Sequence, residues 1–123
     1  MQHSNMILLS FVTFLPTCAY QQVSYEQDIN PILARNCNGC HMAPDGYGYR
    51  ASGLKTDTYD SILQGTIYGP IIVAGDSRRS ILNKLVEGRA GKIQSNPHAD
   101  KEGIGSEEIE MLKLWVDQGA LNN

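Results

Sequence analysis

Long apolar stretches are scarce in this chain of 123 residues, and so are cysteine, aromatic residues and net charge. The most apolar stretch, residues 7–15, is too short to cross a bilayer, so no spanning helix is expected. Ten Lys and Arg stand against thirteen Asp and Glu, a formal net charge of −3 at pH 7, and nothing in that balance points to nucleic acid. The three cysteines are too few for a disulfide scaffold, and with so few histidines they leave a four-ligand zinc cage short of donors. No segment alternates convincingly as a strand and none repeats.

What is present fits one small domain with a real core, since 41% of the residues are hydrophobic. Residues 1–19 read as an export signal: the apolar run 7–15 is followed by Pro, Thr, Cys and Ala, although no Lys or Arg precedes Cys18. Leu15-Pro16-Thr17-Cys18 is like a bacterial lipobox, which would acylate Cys18 and give the chain its one expected membrane contact. Cleavage after Ala19 competes with it and is preferred, because Thr17 stands where a small Ala or Gly usually precedes such a cysteine. The expected location is the periplasm or another exported compartment, with residues 20–123 as the working domain.

Four short helices and long loops are expected there, an all-α fold. Ser24 and Gln27 form a capping-box signature, and Tyr25, Ile29, Ile32 and Leu33 follow at helical spacing. Pro31 should kink or restart that helix, which ends near Asn36. Asp57 can cap a second helix that Gly65 stops after Gln64. Asp76 or Ser77 can cap a third that runs through Glu87, with Ile81, Leu82, Leu85 and Val86 inside. Ser106 caps the last, whose inner stripe is Ile109, Leu112, Trp115 and Val116, and Gly119 ends it. Residues 42–56 and 89–105 show no period and read as loops. Loops of about fifteen structureless residues are uncommon in a small domain unless they bind something.

Cys37-Asn38-Gly39-Cys40-His41 fits the haem attachment pattern C-x-x-C-H. Two thiols three positions apart share one side of a turn and can reach the two vinyl groups on one porphyrin edge, and the following imidazole then projects toward iron. The rivals are weaker. A thioredoxin-like pair needs a βαβ unit around it, zinc lacks ligands, and a disulfide here would close only a very small ring.

Three stretches, YEQDINPILARNCNGCH from Tyr25, GPIIVAGDSRRSIL from Gly69 and the ending LWVDQGALNN, resemble the small class I cytochrome c domains often called planctomycete-type. The resemblance implies one covalent haem c in a crevice between the first and last helices, with the last helix packed across the first. It implies that Trp115 is the helix-packing tryptophan and that Leu54 touches the haem, ordinary core packing being the alternative for both. Such domains present a Met-Pro pair before the last helix as sixth ligand, whereas this chain has Asn96-Pro97-His98 there. Met42 adjoins His41, and Met111 lies within the last helix, where a packing role is favoured. His98 is therefore expected as the distal ligand opposite His41; an exposed loop histidine, with the sixth position open, is the alternative. Bis-histidine ligation would lower the potential relative to a methionine-ligated relative.

The expected function is that of an exported one-electron carrier that serves redox partner proteins, not an enzyme. A haem enzyme or sensor with an open sixth site is one alternative, and an electron-conducting subunit of a larger cytochrome assembly is another. Arg78, Arg79, Lys84, Arg89 and Lys92 cluster, while the last segment is acidic. That polarity could steer an acidic partner or merely mark solvated faces. Tyr47, Tyr49 and Arg50 are candidates for the propionates.

Overall fold

A computed structural model describes residues 21–91 and 103–123. The expected export signal with Cys18, and Lys92, Asn96 and His98, lie outside the described residues. The described chain is helical without a sheet, as expected of an all-α fold. No helix among the described residues is long and apolar enough to cross a membrane.

Ser24 opens the first helical segment: its hydroxyl accepts the Gln27 N–H at 3.2 Å. The reciprocal bond comes from Asp28, whose carboxylate accepts the Ser24 N–H at 2.8 Å, not from Gln27. Tyr25–Ile29 is a π-helical turn, and α1 (Asn30–Asn36) restarts the chain with Pro31 in its first turn. Proline lacks the N–H that would continue an α-helical ladder, so the restart falls where its fixed φ suits a helix start.

The 42–56 segment departs from expectation by containing a helix, α2 (Tyr47–Ser52), closed by Gly53 at φ 72°. That left-handed backbone favours glycine. α3 (Tyr59–Gln64) is capped by Thr58, one residue beyond the expected Asp57; the Thr58 hydroxyl accepts the Ser61 N–H at 3.1 Å. α4 (Ile81–Val86) begins later than expected. Asp76 instead accepts the Arg79 N–H at 3.0 Å and closes a separate turn. The shift changes the inner face: Leu82 and Asn83 are buried, whereas Ile81 is 48% exposed. α5 (Ser106–Asp117) has Gly105 rather than Ser106 as its cap, and Glu108 reaches back to accept the Gly105 N–H at 3.1 Å.

The core lies where α5 packs on the π-turn and on α4. Ile29, Leu33, Leu112, Trp115 and Val116 are fully buried, so the helical spacing of the first and last helices faces inward as expected. Trp115 lies 5.7 Å from the Tyr25 ring and 6.5 Å from Tyr59, and its indole N–H donates to the Leu121 carbonyl at 3.0 Å. The two ends of the described chain are tied together: the Ser24 hydroxyl and the Glu26 N–H both donate to the Asn123 carbonyl. Met111 is partly buried against this core, the packing role expected of it.

Candidate functional site

The Cys37–His41 motif follows directly on α1. The Cys37 N–H donates to the Leu33 carbonyl at 2.8 Å, and the Cys40 and His41 N–H groups both donate back to the Cys37 carbonyl, at 3.1 and 3.0 Å. These bonds wind the motif into one more turn. Cys37, Cys40 and His41 therefore stand on one turn of backbone, at the three- and four-residue spacing that defines neighbours along a turn. Cys37 is half-buried against the core and Cys40 is exposed.

His41 is buried, at 8% exposure. Its Nδ1 lies 3.2 Å from the Leu54 carbonyl oxygen. A carbonyl can only accept, so this contact makes Nδ1 the protonated nitrogen and Nε2 the one with a lone pair to donate. Gly48 of α2 covers the ring: a β-carbon there would stand 2.6 Å from Cε1 and 2.7 Å from Nε2.

The segment expected to wrap over something wraps over this turn. The Tyr49 N–H donates to the Cys40 carbonyl at 3.0 Å, and the Thr56 N–H to the His41 carbonyl at 3.2 Å. The Thr56 hydroxyl donates to the Asn38 side chain at 2.7 Å. Leu54 is buried in the core, and it is its backbone carbonyl that meets the imidazole. Gly48, Ser52, Thr56 and the Leu54 carbonyl were not singled out from the sequence. Backbone groups carry no residue identity, and Gly48 differs from any loop glycine only once its neighbour is known.

The donor set suits a haem. Among the described residues no three His, Cys, Asp or Glu side chains converge as a metal cage. An attached porphyrin would ask for less from this side, namely two cysteine sulfurs bonded to carbon and one oriented imidazole, the groups that Cys37, Cys40 and the His41 ring held at Nδ1 would supply. His98, the expected opposite ligand, lies outside the described residues. Tyr47 is 64% exposed.

The basic cluster is only partly gathered. Arg78, Arg79 and Arg89 line a cleft of about 730 Å³, joined by Lys113 of α5 and by Asp76 and Asp117. Most of these cations already have carboxylate partners: Arg79 with Asp76 at 2.7 Å, Arg89 with Glu87, and Lys113 with Glu110 at 3.2 Å. The Arg79 bonds hold the Asp76 carboxyl below its usual range, and Asp117 is occupied by the Ser77 N–H and hydroxyl.

Compared with known proteins, the chain matches no family model, and no curated protein or solved structure is significantly similar to it.

Proposed function

We propose that this chain is an exported monohaem c-type cytochrome of the small class I kind, acting as a one-electron carrier. The observation that supports it most is the single backbone turn that carries Cys37, Cys40 and a His41 whose Nδ1 is committed to the Leu54 carbonyl. When bound, the haem supplies a one-electron ferric–ferrous couple. The chain's own work is to tether the ring through Cys37 and Cys40, present Nε2 of His41 to the iron, and fix that ring with its neighbours. Orienting partners of this kind also raise the basicity of a ligating histidine. His98 takes the sixth position in this reading, since it is the one histidine besides His41 outside the expected signal. Ligation by two imidazoles favours the ferric state and keeps the potential low.

The test is the protein produced in a host with working cytochrome maturation. Its mass should exceed that of the mature polypeptide by one haem, and a pyridine haemochrome assay should report covalent haem c. A polypeptide that weighs no more than its amino acids overturns the proposal. The wild-type ferric spectrum should be low-spin, and His98→Ala should change it. An unchanged spectrum removes His98 from the iron.

A further inference from the structure

The Ser52 hydroxyl, at the end of α2, joins the two residues that enclose the His41 ring. It donates to the Gly48 carbonyl at 2.7 Å and accepts the Leu54 N–H at 3.3 Å. Gly48 covers the imidazole, and Leu54 supplies the oxygen 3.2 Å from Nδ1. We infer that Ser52 and Gly48 are positioning residues for the axial histidine: Ser52 clips the end of α2 to residue 54, so that His41 is held between the Gly48 backbone and the Leu54 carbonyl in one orientation. The inference rests on the haem reading above.

Gly48 makes the constraint visible. Its φ is not in the left-handed region, so no backbone strain asks for glycine. A glycine in a helix is less favourable than alanine. What it provides here is room, because an alanine β-carbon would stand 2.6, 2.7 and 3.0 Å from three atoms of the His41 ring. Relief requires the ring to turn or α2 to withdraw, and either movement disturbs the Nδ1–carbonyl contact. Ser52 acts on the same contact from the other side. A serine bonding to the carbonyl four residues earlier is a common local habit, but the second bond, to the Leu54 N–H, carries its effect to the imidazole. A weaker contact at Nδ1 makes Nε2 a poorer donor and stabilises ferric iron less.

The experiment compares haem-loaded wild type with Ser52→Ala, Ser52→Thr and Gly48→Ala. It reads covalent haem by mass, the midpoint potential, and the ferric electron paramagnetic resonance spectrum. At the wild-type midpoint, the ferrous-to-ferric ratio should rise about tenfold in Gly48→Ala and by a smaller factor in Ser52→Ala, with altered g values in both. Ser52→Thr, which keeps the hydroxyl, should return both readouts toward wild type. A Ser52 that only finishes a helix would lower the melting temperature and leave potential and g values alone; that result overturns the inference. If Gly48→Ala does not accumulate, the two serine variants decide by the same criteria. Wild type without covalent haem would overturn the haem reading itself and the inference with it, an outcome distinct from loaded variants with wild-type spectra.

Discussion

Around Trp115 the chain is held by buried apolar side chains, whereas around His41 it is held by hydrogen bonds between backbone and small polar groups. The first region brings Ile29, Leu33, Leu112, Trp115 and Val116 to complete burial. The second, from 41 to 56, buries only His41, Leu54 and Thr56, yet Tyr49, Leu54 and Thr56 all bond the Cys37–His41 turn or the histidine ring. Burial of large side chains supplies stability without direction. Hydrogen bonds add little net stability but fix orientation. A domain that must hold one imidazole in one pose needs the second kind of contact at the site and the first kind elsewhere.

The sharpest test of that division is Trp115→Ala, which should cost about 3–5 kcal/mol in urea unfolding by emptying the centre of the packed region. A loss below about 1 kcal/mol would deny that region its role. Next in size is Thr56→Val, which keeps the shape but removes the 2.7 Å bond to Asn38. It should cost about 1 kcal/mol and speed hydrogen exchange across 38–56 while α1 and α5 keep their protection. Equal acceleration in α5 would show that the two regions open together.

The smallest effect concerns Glu108, which links α5 to α1 at the packed region's edge. Its carboxylate accepts from Arg35 at 2.6 Å and from the Gly105 N–H at 3.1 Å. The Arg35 bond first, and the Gly105 bond second, hold its pKa below the ordinary 4.5. A carboxyl lowered on folding stabilises fully above its unfolded value and loses that contribution as pH falls through the folded one. Glu108→Gln should therefore lower stability by at most about 1 kcal/mol at pH 7 and flatten the acid limb. Wild type and variant should converge at the lowest pH, as read by thermal midpoints from pH 7 to pH 2.

Much of the packed region could be anticipated from the chain. Tyr25, Ile29, Ile32 and Leu33 recur at helical spacing and are all buried, as are Leu112, Trp115 and Val116. The third expected helix shows where such reasoning stops. Asp76 is a good cap, but it closes its own turn through Arg79. α4 starts only at Ile81, so the register moves and Asn83 takes an inner position. α2 gave no signal, because Tyr47–Ser52 has no apolar period and carries a glycine in its first turn.

Residue identity alone determined which faces of the first and last helices turn inward and that Cys37, Cys40 and His41 share a turn. Both follow from fixed spacing along a helical backbone, which any short stretch of sequence contains. Only the tertiary structure decided what surrounds the imidazole: the Leu54 carbonyl at Nδ1, Gly48 over the ring, and Ser52 between them. A peptide carbonyl is the same in every residue, and an absent side chain has no signature, so their roles exist only once the chain has brought them against His41.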